Sequence, residues 1–244
     1  MQKKEIIMNK SISPSLICMD LCNMERAVRE LEDSGCEMLH IDVIDGYFSP
    51  SMPIGLDMIR QLRKKTDMYF DAHIMAKDNM FFMEQLADIG VGRMCFQIET
   101  EIHINKKLSW LKSNGIEAGV ALAPGTSISL IEYVLEQCDF VLLMMINPGF
   151  ASDKTEKISD GCRQKLGDLY EMIQRRGLQT TITVDGRISP DVIPLYITLG
   201  AQTFVAGTSS LFVKNGCSIR ENFETLDGII KNATRGENIG NDRK

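Results

Sequence analysis

The 244-residue chain predicts an α/β fold, a (β/α)8 TIM barrel in a single domain, and three observations carry that expectation. Short β-rich runs alternate with segments of helical apolar spacing along the chain. A glycine closes most of the helical segments, where its freedom to adopt a left-handed backbone ends a helix cleanly. Eight strand-plus-helix units fit within about 220 residues, the usual length of such a barrel.

The elements follow in order. The first β-rich run, Ser11 to Ile17, precedes the helical spacing of Met24 to Leu31. Met38 to Val43 precedes Leu56 to Leu62, and Met68 to Ile74 precedes Met80 to Ile89. The fourth and fifth runs, Arg93 to Ile98 and Glu117 to Leu122, are followed by Leu108 to Lys112 and Ile128 to Glu136. Phe140 to Ile146 leads to Ile158 to Arg176, Thr180 to Val184 leads to Asp191 to Leu199, and Thr203 to Ala206 is the eighth run. Gly35, Gly90, Gly115, Gly177 and Gly200 each stand just before a run. A doubly wound open sheet is the rival architecture, since strand count alone fits both. Residues 1–10 read as an N-terminal extension, 11–231 as the barrel, and the polar segment 232–244, with its Gly and Asn, as a disordered tail.

Composition narrows the function classes. Hydrophobic residues make up 44% and charged residues 25%, an ordinary globular balance. A net charge of −6 offers no general attraction to nucleic acid or to an acidic membrane, so neither is an expected partner. Phosphorylated small molecules stay open, because local backbone amides bind a dianion against the global sign. The first ten residues lack the apolar core of a signal peptide, and no apolar run approaches membrane-spanning length. The seven cysteines are scattered, with no C-x-x-C pair, as expected of reduced core thiols in a cytoplasmic protein.

The chemistry-bearing residues fall at the ends of predicted strands, where such barrels place their active sites. His40 and Asp42 are two apart, so they project from the same side of one strand. His73 ends the third run and Asp185 the seventh. Two histidines and two carboxylates at one barrel mouth suit Zn²⁺, or Mn²⁺, Fe²⁺ or Co²⁺. Glycine-rich loops form a second constellation: Asn147-Pro148-Gly149-Phe150-Ala151-Ser152, Asp185-Gly186, and Gly207-Thr208-Ser209. They supply free backbone N–H groups of the kind that bind phosphate near the last strands. His103 lies outside these groups and reads as a surface or packing histidine, while Asp45 and Asp71 read as turn-forming or supporting carboxylates.

Six motifs in order, Ser13-Pro14-Ser15-Leu16, His40-Ile41-Asp42-Val43-Ile44-Asp45-Gly46, Asp71-Ala72-His73-Ile74-Met75, Asn147-Pro148-Gly149-Phe150, Val184-Asp185-Gly186 and Val205-Ala206-Gly207-Thr208, resemble the ribulose-phosphate 3-epimerase family from about Ser11 to Phe212. The resemblance implies a metal-dependent 3-epimerase of a ketose phosphate. One divalent ion would be held by His40, Asp42, His73 and Asp185. Asp42 and Asp185 would be the acid/base pair, working through a metal-stabilised enediolate. Ser15 and His73 would contact the sugar, and Gly149, Phe150, Ala151, Ser152, Gly186, Arg187, Gly207, Thr208 and Ser209 the phosphate. The chemistry fits these types: inverting a carbon beside a carbonyl takes proton carriers on both faces, and aspartate is too weak a base to act without help for the developing charge. Met75, Met144 and Ile44 would cover the site against water.

The chain also departs from the family pattern. Asp153 follows the phosphate loop, Arg187 replaces a second glycine, Gln97 stands in place of a fourth-strand histidine, and Tyr47 and Ser51 alter the loop after the second strand. Cys18-Met19-Asp20, Ala151 and Gly207-Thr208-Ser209 tilt the substrate towards D-allulose 6-phosphate/D-fructose 6-phosphate rather than the commoner D-ribulose 5-phosphate/D-xylulose 5-phosphate. The alternative from another class is a non-catalytic sugar-phosphate-binding barrel. A decarboxylase of the related barrels is disfavoured, since His40-Ile41-Asp42 lacks the lysine between aspartates. A homo-oligomer is compatible with the resemblance, and no feature of the chain decides it.

Overall fold

The computed structural model describes residues 10–149 and 155–241, with side chains through position 235. Eight strands, β1 (Ser11–Pro14), β2 (Met38–Ile44), β3 (Tyr69–Met75), β4 (Arg93–Gln97), β5 (Glu117–Leu122), β6 (Phe140–Met144), β7 (Thr181–Asp185) and β8 (Thr203–Ala206), form one parallel sheet. From β2 to β8 each strand pairs with its sequence neighbour, and β1 pairs with β8. The last seam, between β1 and β2, closes through a parallel bridge from Ser15 to His40. Sequential order with end-to-end pairing makes this a nearly closed (β/α)8 barrel and removes the doubly wound alternative, whose strand order reverses.

The helices α1 (Met24–Asp33), α2 (Leu56–Arg63), α3 (Asn79–Ile89), α4 (Ile104–Ser113), α5 (Asp160–Arg175), α6 (Ile193–Thr198) and α7 (Ile219–Asn241) flank the sheet. All five glycines that the sequence places before strands have positive φ. Gly90 shows why: at φ 91° it turns the chain out of α3, and the Val91 N–H then bonds back to the Leu86 carbonyl at 3.1 Å. Ile128 to Glu136, expected as a helix, instead forms two 3₁₀ turns, Ile128–Ile131 and Leu135–Gln137. The segment is short and holds β-branched and aromatic residues, which lose rotamer freedom in a helix. Ser127 further fixes its entry by accepting from the Ser129 N–H at 3.2 Å.

The eighth helix position is filled by α7, which the apolar spacing did not single out. It runs on past position 231, where the sequence places the end of the barrel. Ile230 is buried, Ala233 packs against the core, and the Thr234 hydroxyl donates to the Ile230 carbonyl at 2.8 Å, so there is no break at that boundary. Among the described residues, no helix is long and apolar enough to cross a membrane.

Every residue of β2 is buried, yet the strand carries a histidine and an aspartate. Alternation resolves this: Leu39, Ile41 and Val43 join the large apolar cluster shared with the helices, while His40 and Asp42 face the barrel interior. That interior holds its own small apolar cluster, Cys95, Ala121, Phe140, Leu142 and Met144. Gly119 makes room for it, since a Cβ there would lie 2.5 Å from the Phe140 ring. The barrel bore therefore combines a patch of apolar packing with a buried polar network beneath the mouth.

Candidate active site

Strand register brings the polar residues together. His40 lies beside Asp71, and Asp42 beside His73, across the β2–β3 pair. Asp185 ends β7 next to Met144 of β6. His40, Asp42, His73 and Asp185 each offer one ligand atom, and these atoms all lie within 4.8 Å of one another. The four residues singled out at three separate strand ends thus converge on one point.

Hydrogen bonds on the far side of each ring prepare the histidines for a metal. His40 Nδ1 lies 3.0 Å from Asp71 Oδ2, so its proton belongs there and Nε2 is left facing Asp42 Oδ1 at 3.4 Å. His73 is turned the other way round. Its Nε2 lies 2.9 Å from Gln97, whose amide oxygen accepts the ring proton while the amide nitrogen donates to the Ala121 carbonyl at 3.3 Å and Glu99 Oε2 at 2.7 Å. His73 Nδ1 then faces Asp42 Oδ1 at 3.5 Å. Both inward nitrogens are buried without a hydrogen-bond partner. Buried polar atoms are seldom left so, and two ring nitrogens converging on the Asp42 carboxylate make a donor set suited to a divalent ion.

The same burial splits the two carboxylates. Burial opposes the charge of Asp42, but the neighbouring His40 and His73 outweigh it and hold the carboxyl well below its usual range. Ser15 Oγ also donates to Asp42 Oδ2 at 2.8 Å. Asp185 goes the other way: burial and then repulsion from Asp42 push it up to about 6. For His40, burial works against protonation, yet Asp42 and Asp71 together raise it well above its ordinary value. A metal ion held by this ring would take the place of a proton.

Asp42 and Asp185 reach the floor of a small cleft at the C-terminal mouth of the barrel. Ser15, Gly149, Gly186, Arg187, Gly207, Thr208 and Ser209 line it, as do the apolar Ile44, Met75 and Met144. His40 and His73 are fully buried behind that lining. Gly186 has φ 102°, and a Cβ there would meet Ile146 at 2.6 Å, so both turn and packing demand glycine. Arg187 is the one non-glycine with positive φ among the described residues, at 56°. Its Nε donates to the Glu156 carbonyl at 3.3 Å, and one terminal nitrogen, Nη2, is buried without a partner. Phe150, Ala151, Ser152 and Asp153 lie outside the described residues.

The supporting cast is only partly visible from motifs. Asp45 accepts from the N–H groups of Tyr47, Phe48 and Lys77 at 2.7–2.8 Å, a turn-forming carboxylate as expected. Asp71 supports His40. His103 is exposed, just ahead of α4. Gln97, read only as a departure, turns out to orient His73. Arg93 was missed altogether. Its parity with Cys95 and Gln97 on β4 was the available signal, because that parity puts a charge inside the barrel.

Comparison with known proteins agrees with the geometry. The model of the ribulose-phosphate 3 epimerase family matches residues 11–212. A ribulose-phosphate 3-epimerase of Treponema pallidum is 32% identical over 199 residues, covering 82% of this chain and 90% of that protein. The chloroplastic ribulose-5-phosphate-3-epimerase of Arabidopsis thaliana is 36% identical over 208 residues, 84% of this chain and 72% of the relative. Among solved structures, 3-hexulose-6-phosphate synthase of Salmonella typhimurium superposes with a TM-score of 0.65 at 16% identity, covering 91% of this chain and 99% of that one. A mutant tryptophan synthase alpha-subunit of Pyrococcus furiosus gives 0.62 at 14% identity, covering 92% and 98%. At such identities the structural matches speak for the barrel alone.

Proposed function

The chain belongs to the ribulose-phosphate 3-epimerase family, and on that premise we propose that it inverts C3 of a ketose phosphate with Asp42 and Asp185 as the two proton carriers. The observation that carries this reading is the split pair: two carboxylates in one cluster at the cleft floor, one held ionised and the other pushed up to about 6. Paired groups whose environments drive their proton affinities apart are the mark of an acid and a base. Asp42 takes the C3 proton from one face of the substrate, and Asp185 returns one on the other. Ser15 holds the Asp42 carboxylate in place. Ile44, Met75 and Met144 keep water away from the reacting carbon.

His40, Asp42, His73 and Asp185 hold one divalent ion, and the two partnerless ring nitrogens support that assignment. Zn²⁺ suits two nitrogen and two oxygen donors, as do Mn²⁺, Fe²⁺ and Co²⁺. When bound, such an ion supplies positive charge beside the substrate's oxygens. Phosphate is held by backbone and side-chain donors at Gly149, Gly186, Arg187, Gly207, Thr208 and Ser209, joined by the segment Phe150, Ala151 and Ser152. The Arg187 charge stands where the family pattern has a glycine, on the lining of the cleft.

The substrate proposed is D-ribulose 5-phosphate, interconverted with D-xylulose 5-phosphate, the substrate class in the names of the matched relatives. One observation favours the six-carbon D-allulose 6-phosphate instead: Cys18, a cue for that branch, lines the cleft and packs on Gly207, where a Cβ would lie 2.9 Å from its sulfur. Steady-state rates on both ketose phosphates separate the two readings. Running the reaction in D2O tests the mechanism itself: deuterium must enter at C3. A protein that binds the sugar phosphate without any such exchange is the non-catalytic barrel, and the epimerase mechanism falls.

A further inference from the structure

Beneath the four clustered residues, the barrel buries a further charge pair that neither proton transfer nor substrate binding uses. Arg93 begins β4, is 3% exposed, and sits directly beside Asp71 in the β3–β4 register. Its guanidinium lies 3.6 Å above the Phe140 ring and donates to Thr183 Oγ1 at 2.6 Å. These two contacts fix the group in the bore, and its Nε then faces Asp71 Oδ1 at 3.8 Å. Both atoms of that contact lack any hydrogen-bond partner, so the attraction between them is purely one of charge. The other Asp71 oxygen, Oδ2, accepts from Ser13 Oγ at 3.3 Å and meets His40 Nδ1 at 3.0 Å.

We propose that Arg93 is a positioning residue for the metal ligand His40, acting through Asp71. Three carboxylates, Asp42, Asp71 and Asp185, share this bore and mouth. A divalent ion among the four ligands offsets two of those charges, and Arg93 is the cation placed to offset the third. A buried carboxylate without a counter-charge is strongly disfavoured and finds relief by rotating or by drawing in whatever cation is nearest. With Arg93 holding one oxygen, Asp71 keeps the other on His40 Nδ1, which leaves the His40 Nε2 lone pair directed at the ligand cluster. The Phe140 and Thr183 contacts are thereby part of the metal site's support, acting through Arg93.

The inference rests on the reading of His40 as a metal ligand, and the test keeps the two apart. Zn²⁺ affinity is measured by chelator competition for wild type, R93K and R93Q, each checked for folding by circular dichroism. Wild type must bind one ion, R93K must stay within about threefold of it, and R93Q must bind about 10–100-fold more weakly, the usual cost of losing an outer-shell partner. In a D71N background, R93Q must have no further effect, and this double variant carries the test if R93Q alone does not fold. If wild type binds no ion, the metal reading and the Arg93 inference fall together. If wild type binds and R93Q matches it, or R93K is as weak as R93Q, the role assigned to Arg93 is wrong while the metal site stands. A further loss of affinity from R93Q in the D71N background overturns it equally.

Discussion

Removing the charge from Asp185 should stabilise the metal-free protein at neutral pH while abolishing its activity. In the folded protein this carboxyl is pushed up to about 6 from an ordinary 3.8, so the fold holds its proton more tightly than the unfolded chain does. The stability attached to that proton is fully present below the unfolded value and is lost as pH rises through about 6. Between pH 5 and pH 8 the wild type should lose at most about 1.4 kcal/mol through this one group. Asp185→Asn carries no titrating proton there and escapes the loss. Comparing the two proteins cancels the titrating groups remote from this cluster, so the difference in stability should grow by about that amount in favour of the variant. For a chain of this size that is a Tm difference of roughly 3–5 °C. The assay is thermal and urea unfolding of both proteins in EDTA at pH 5, 6, 7 and 8. Parallel pH profiles for wild type and variant would refute the idea that Asp42 and burial strain Asp185. Adding Zn²⁺ at 100 times its Kd should then reverse the order, since binding contributes about 2.7 kcal/mol to wild type and far less to a variant missing one ligand.

Three other outcomes follow from the geometry. Ser15→Ala should lower kcat roughly tenfold with a smaller change in KM, because a hydrogen bond to a buried carboxylate contributes about 1.5–3 kcal/mol and only part of it is specific to the transition state; unchanged kcat would remove Ser15 from the site. Arg187→Gly should leave Tm unchanged or raise it by a few degrees, since glycine relieves a left-handed backbone that costs about 1–2 kcal/mol elsewhere. The same variant should raise KM for the ketose phosphate about tenfold, and both effects are read from one preparation by melting and steady-state kinetics. Gly119→Ala should destabilise the protein by about 1–3 kcal/mol in urea unfolding, as its Cβ would overlap the Phe140 ring and displace the guanidinium stacked on it.

Much of this enzyme is written locally. The alternation of runs, the glycines at helix ends and the H-x-D spacing on β2 depend on neighbours a few positions away, and those features are why the barrel, the strand ends and the four candidate ligands were legible in sequence. Where local preference was weak, legibility failed: the stretch between β5 and β6 became 3₁₀ turns, and α7 carried on beyond position 231 because packing against α1 and α6 decides its course. The support of the site was not legible at all. Gln97 looked like a missing histidine, and Arg93 like one more charge at a strand start. Strand pairing sets Gln97 against His73 and Arg93 against Asp71, and only the curling of the sheet brings Phe140 of β6 and Thr183 of β7 onto the Arg93 guanidinium inside one bore. Which residue types stand at which strand ends follows from the order of amino acids alone. The tertiary structure decided which histidine nitrogen faces the cluster and which carboxylate holds its proton, because burial and the charges of distant strands set both, and neither exists before the barrel closes.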